Sequence, residues 1–232
     1  MTRFLMAALL FVSACNTELY DTAPGDGFFT GSLLVMWVDA GSGDEGDGRF
    51  VYVPDTRGGK GLTFHRGGAA GDVTTITPGL MYTDGGSIPR LLQPFNGLNP
   101  WGYAPAYMAH DWLFVARKCL NDDIRTPEYK ALESLEFDDS VRIMAEAVKA
   151  LESARRVSDA DIDKQAITLA VSSSISQRRW NETGACETNK VTPEHVKQIQ
   201  ARLNIGIRSK IASVMVDGER VAPADIVGQI SF

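Results

Sequence analysis

Cysteine and histidine are scarce, with three of each in 232 residues, and this rules out a disulfide-dense framework as the basis of the fold. The Lys and Arg residues are scattered among acids and the formal net charge is −6, so the basic stripe that a nucleic-acid partner requires is missing. No apolar run is long enough to span a bilayer as a mature helix. There is no internal repeat, coiled coil or low-complexity tract. The acidic glycine loop with Asp39, Asp44, Glu45 and Asp47 lacks the alternate-ligand spacing and closing Glu of an EF-hand. It reads as a solvated hairpin tip. What is present is a 44% hydrophobic composition, enough for a real core in one domain of ordinary size.

The N-terminus carries Arg3, an apolar run from Phe4 to Val12, and small residues leading to Cys15, the layout of a secretory signal. Val12-Ser13-Ala14-Cys15 resembles the bacterial lipobox, whose Cys is lipidated and becomes the mature N-terminus. The competing readings are an ordinary cleaved signal or a mere hydrophobic start. On the lipobox reading residues 1–14 are the signal and 15–27 a polar, Gly/Pro-bearing tether. The partner is then the membrane, reached through the lipid on Cys15. Asn16 after the Cys, rather than Asp, points to the outer membrane, facing the periplasm. Cys119 and Cys186 remain as an even pair, and in an oxidising compartment one bridge between them is expected. Two buried free thiols are the alternative if the chain stays in the cytoplasm.

Short β-branched and aromatic runs at Ser32–Val38, Arg49–Val53, Gly61–His65 and Val73–Thr77 predict four strands. His65, alone in a strand pattern, reads as structural. Beyond residue 105 the period changes from two to about 3.6. Helices are predicted over Ala106–Lys118, from Tyr129 or Glu136 to Arg155, from Ser158 to Gln177 behind a capping-box pattern, and from Pro193 to Leu203, with a final hairpin at Asp217-Gly218. The fold class is therefore α+β. A small antiparallel sheet of about four strands is expected ahead of an antiparallel bundle of three or four helices. The core spans 28–180, with 181–232 a C-terminal extension packed on it.

Met81–Phe114, MYTDGGSIPRLLQPFNGLNPWGYAPAYMAHDWLF, carries the candidate chemistry. A carboxylate sits in a glycine-bearing turn (Asp84, Gly85, Gly86, Ser87), a long aromatic loop follows, and His110-Asp111 enters a helix. Loops of that length are functional or disordered, and five large aromatics argue against disorder. For Trp101, Tyr103, Tyr107, Trp112 and Phe114, core packing is favoured over a binding platform. Adjacent helical residues point about 100° apart, so His110 and Asp111 serve different neighbours. A neutral imidazole acts as a base near pH 7 when a carboxylate fixes its tautomer. Asp138, in phase with Val141, Ala145 and Val148 on the next helix, is the candidate orienter, and Asp84 is the other carboxylate of the candidate catalytic set. Asp111 is then left to ligate Ca2+, with Asp84 and the Gly85 and Gly86 carbonyls. Thr83, Ser87 and Arg90 are loop-supporting candidates; Arg90 is read as bonding loop carbonyls, with an anionic head group as the alternative.

The helical His-Asp pair, the following aromatic and the later Asp resemble the site of secreted phospholipase A-two enzymes. That resemblance implies His110 activating water, Asp138 orienting it, and Asp111 with the 82–86 turn holding calcium against an oxyanion. The TDGGSIPR, AYMAHDWLF and FDDSVRIMAEAV elements resemble the phage and bacterial family called domain of unknown function 1353, over roughly residues 28–180. This second resemblance implies a small domain of strands followed by helices and supplies no activity.

Two functions from different classes follow. One is a cell-envelope hydrolase, calcium-assisted, with His110 as base and a phospholipid or another envelope ester or amide as substrate. The other is a non-catalytic, phage-related envelope or virion lipoprotein, with envelope or virion proteins as partners, whose polar cluster braces the long loop.

Overall fold

The computed structural model describes residues 20–38, 48–55, 57, 61–68, 71–83, 102–157, 167, 170–206 and 212–232. The order of elements is β1 (Phe28–Thr30), β2 (Ser32–Val38), β3 (Arg49–Pro54), β4 (Thr63–His65), β5 (Thr75–Ile76), β6 (Met81–Thr83), α1 (Ala104–Asn121), α2 (Pro127–Lys130), α3 (Phe137–Ser153), α4 (Ser174–Trp180), α5 (Cys186–Asn189), α6 (Pro193–Ile205), β7 (Val214–Val216), β8 (Glu219–Val221) and β9 (Asp225–Ser231). The class is α+β.

The single sheet expected from the sequence is divided. An antiparallel three-stranded sheet runs β1-β4-β5, a four-stranded one β6-β3-β2-β9, and β7 and β8 form a hairpin. That hairpin turns at Asp217 and Gly218, both with positive φ (50° and 83°), as the Asp-Gly pair predicts.

The run Ser32-Leu33-Leu34-Val35-Met36-Trp37-Val38 has no polar alternation because β2 is covered on both faces. Leu33 and Val35, with Tyr52 and Met81, join the main core, where they meet Met108, Ala109 and Trp112 of α1 and Met144, Ala147 and Leu151 of α3. Leu34, Met36 and Val38, with Val51 and Val53, meet Ile199 of α6 and Ala224 on the other side. The helices therefore clothe both faces of the central sheet rather than forming one bundle. Each fully buried aliphatic side chain stabilises by about 1.5–3 kcal/mol. A two-sided sheet is the arrangement that buries this whole apolar run.

The C-terminal residues complete the sheet. β9 pairs antiparallel with β2 from Ser32↔Ser231 to Trp37↔Asp225, with a register shift beside Val35 and Met36. A strand from the segment expected as an extension is thus an edge of the core.

α1 is the central helix. Its buried residues include Tyr107, Met108, Ala109 and His110 in one unbroken run, and Trp112, Leu113, Val115 and Ala116 in the next turns, so it is enclosed almost all round. Gly79 lies against it, since a Cβ there would stand 2.6 Å from the Trp112 ring. The C-terminal end of α1 is tied to the 180–186 segment. Asn121 Nδ2 donates to the carbonyls of Trp180 (2.9 Å) and Glu182 (3.1 Å). The Asp122 carboxylate accepts from the backbone N–H of Gly184 (2.5 Å) and Cys186 (2.8 Å), and Cys119 and Cys186 form the expected disulfide across 67 residues. A loop of that size stabilises by about 4 kcal/mol in the chain-entropy account.

The helix expected from Ser158 to Gln177 is interrupted. Helical turn at Ala170 and Val171 ends at Ser172, and Ser173 opens α4 by accepting a hydrogen bond from Ser176 N–H at 3.3 Å. A serine hydroxyl competes with the helical ladder in this way and favours caps.

Candidate functional site

β6 leads into the 84–101 segment and α1 leads out of it, so the site is built where these two elements touch. Alternation along β6 sends successive side chains to opposite faces. Met81 and Thr83 are buried on the α1 side, while Tyr82 turns toward α6. The Thr83 hydroxyl donates to Asp111 Oδ2 at 3.5 Å, a long bond at the limit of useful geometry. It links the end of β6 to the first half of α1. Asp84, Gly85, Gly86, Ser87 and Arg90 lie outside the described residues, as do Cys15 and Trp101. Of the expected calcium donors, Asp111 is the described one, half-buried in the first half of α1. Among the described residues no group of three or more His, Cys, Asp or Glu side chains could hold a metal ion.

His110 is 7% exposed, with its ring tilted against Phe114 at 5.0 Å between centroids. Burial disfavours its charged form and pushes the imidazole down from 6.5 to about 4, which leaves it neutral at pH 7. Its Nε2 is buried and, among the described residues, has no hydrogen-bond partner. A buried polar atom left unmet costs about 1–3 kcal/mol.

Asp138 does not orient this ring. It is exposed in the first turn of α3, and two geometric reasons account for that. At about 100° per residue Asp138 lies about 40° from Arg142 and about 120° from Met144, and Arg142 is exposed while Met144 is buried. The stripe through Val141, Ala145 and Val148 is one margin of a wider buried face. α1 and α3 also meet with Arg117 beside Glu136 (3.8 Å), so His110, seven residues from Arg117, lies about 10 Å along the axis from that contact. The neighbouring Asp139 caps the helix, accepting from the Glu136 N–H at 2.9 Å.

The aromatics behave as core. Tyr103, Tyr107 and Trp112 are 2%, 5% and 5% exposed, and Phe114 packs against the same cluster. His65 is structural as expected, stacked on Phe28 at 4.5 Å with Nε2 at 2.9 Å from the Thr30 hydroxyl.

Two polar pairs were invisible to sequence reasoning. Arg66 and Glu146 form a bidentate ion pair, Nε to Oε2 at 2.7 Å and Nη2 to Oε1 at 2.8 Å, with side chains 3% and 1% exposed. Arg66 Nη1 also donates to the Val73 carbonyl. The available signal was Glu146 itself, a lone carboxylate inside the apolar run Ile143–Val148. On the far face of the sheet the Tyr82 hydroxyl lies 2.7 Å from His195 Nδ1 and accepts from the Thr192 N–H at 3.1 Å. The Arg49 guanidinium stacks 3.3 Å over the Tyr82 ring. No local pattern links residues this far apart in the chain.

No family model matches the chain, and neither the curated proteins nor the solved structures contain a match to it.

Proposed function

We propose that the chain is a cell-envelope lipoprotein with hydrolytic activity, in which His110 is the general base acting on an ester or amide of the envelope, phospholipid included. The observation that carries this is the imidazole itself, which is buried, neutral at pH 7 and unmet at Nε2 among the described residues. A histidine kept only for structure is ordinarily hydrogen-bonded. A base needs one lone pair kept for water or substrate. Phe114, rather than Asp138, restrains the ring.

Asp111 is the kind of hard oxygen donor that calcium takes, and with Asp84 and the carbonyls of Gly85 and Gly86 it would hold the ion. When bound, calcium would supply charge stabilisation to a developing oxyanion. Thr83, Ser87 and Arg90 support the surrounding loop in this proposal. The anchor is the lipid on Cys15, with the outer membrane, facing the periplasm, as its location.

The test is His110→Gln assayed on a panel of phospholipid and short-chain esters. Turnover should fall by a factor of about 10² to 10⁴ with the circular dichroism spectrum unchanged. Wild-type protein that hydrolyses none of the panel, with or without calcium, would end the proposal. Palmitate labelling that survives Cys15→Ala would end the anchor.

The Thr83–Asp111 contact favours a second reading: a non-catalytic, phage-related envelope or virion lipoprotein whose polar cluster braces the 84–101 segment. The resemblance to domain of unknown function 1353 in TDGGSIPR, AYMAHDWLF and FDDSVRIMAEAV supports its phage-related character. Under this reading Asp111→Asn lowers the melting temperature and there is no turnover to lose.

A further inference from the structure

His110, Phe114 and Arg117 are at i, i+4 and i+7 on α1 and share one helix face. Trp180, the last residue of α4, closes over that face. The Phe114 and Trp180 rings meet edge-on at 5.2 Å between centroids, and the Arg117 guanidinium carbon is 5.3 Å from the Trp180 ring centroid. Among the described residues, Trp180 Nε1, Arg117 Nε and His110 Nε2 are each buried without a hydrogen-bond partner. An indole N–H and a guanidinium N–H can only donate, and a neutral imidazole donates or accepts according to its tautomer. Native folds leave few such atoms unmet, and here three belong to one helix face and the ring that closes over it.

The surroundings narrow what would meet them. Phe137 adds a third ring, 6.2 Å from Trp180, so the surroundings of these donors are aromatic. The charge within is the Arg117 guanidinium, whose side chain keeps 20% exposure beside Glu136, itself 76% exposed. That solvated, loosely held carboxylate marks where the seam meets solvent and is readily replaced.

We infer that the seam binds an acid-headed amphiphile. Its carboxylate or phosphate monoester accepts from Arg117 Nε–H and Trp180 Nε1–H, and its apolar chain runs along Phe114 toward His110. Obligate donors beside a cation select an anionic acceptor, and the rings select the chain. The inference rests on the His110 site of the hydrolase proposal and names the ligand chemistry of that site.

Isothermal titration of the full chain with decanoate and decyl phosphate, against decanol and inorganic phosphate, tests it. Both acids should saturate one site, with decanol and phosphate each weaker by about tenfold or more. Trp180→Phe keeps the ring and removes the N–H, and it should weaken decanoate by about tenfold. Arg117→Met, at the end nearer solvent, should do the same and provides the test if Trp180→Phe fails to fold. The inference is overturned if neither acid saturates, if decanol binds as tightly as decanoate, or if both variants keep wild-type affinity. Acid binding without turnover on any ester would leave it standing and remove the hydrolase proposal; turnover without acid binding would do the reverse.

Discussion

Two buried ionisable residues share one core and are treated in opposite ways. Glu146 meets Arg66 through two short bonds with both side chains almost fully enclosed, whereas His110, on the helix packed against α3, has an Nε2 with no partner among the described residues. The first is a finished structural link between α3 and the strand β4, which ends one residue before Arg66. The second carries an uncompensated cost. Polar burial that geometry satisfies holds a fold together, and polar burial that it leaves unsatisfied marks where function is to be sought.

The comparison breaks most visibly at the paired end. Glu146→Gln strands the Arg66 charge in the core and should destabilise by about 3–5 kcal/mol, read by urea denaturation at pH 7. A loss below about 1 kcal/mol would mean that the pair contributes nothing a neutral contact could not.

His110 should show its cost through pH. Its folded value lies below its unfolded one, 6.5 falling to about 4, so the unfolded chain takes up the proton first. Stability is full above about pH 6.5 and lost as pH falls toward 4. The loss amounts to roughly 3 kcal/mol at 1.36 kcal/mol per pH unit. His110→Leu should remove this dependence and, by deleting the unmet polar atom, raise stability at pH 7 by about 1–3 kcal/mol, as seen in melting temperatures measured across that window. Parallel pH profiles for the two proteins would refute the neutral, buried imidazole.

Tyr82→Phe sharpens the contrast from the other face of the sheet, where His195 is partnered. Removing that hydroxyl should cost about 1–2 kcal/mol, because Thr192 N–H and His195 Nδ1 both lose their contact. The smallest effect is expected at Asp138, exposed on α3. Asp138→Asn should change stability by less than about 0.5 kcal/mol and leave any turnover intact. A large loss of activity there would restore the orienting role that its exposure denies.

Much of the fold was legible because local pattern encodes local structure. Ser32–Val38 read as a strand and is one, Pro105 stands in the first turn of α1, Thr192 caps α6, and Asp217-Gly218 turns a hairpin. Legibility failed where phase was inferred from too few positions. Asp138 fits a stripe through three apolar residues, yet α3 is buried over most of its circumference, and only the packing of α1 beside it reveals which margin faces water. Asp84 and its neighbours stand outside the described residues, so the candidate site is described from its α1 side, through His110 and Asp111.

Taken alone, the chain determined its α+β class and, to within a few residues, the limits of β2, β3, α1, α3 and α6, because each follows from periodicity or turn chemistry, and it named Cys119 and Cys186 as the expected pair on the reading that Cys15 carries a lipid. Tertiary structure decided that β9 joins β2 from almost two hundred residues away, that helices clothe both faces of the central sheet, that Arg66 finds Glu146, and that His110 Nε2 finds no partner among the described residues. Periodicity fixes the direction of a side chain about its own axis and carries no information about which distant element arrives to cover it. Burial and hydrogen bonding are set by that arrival.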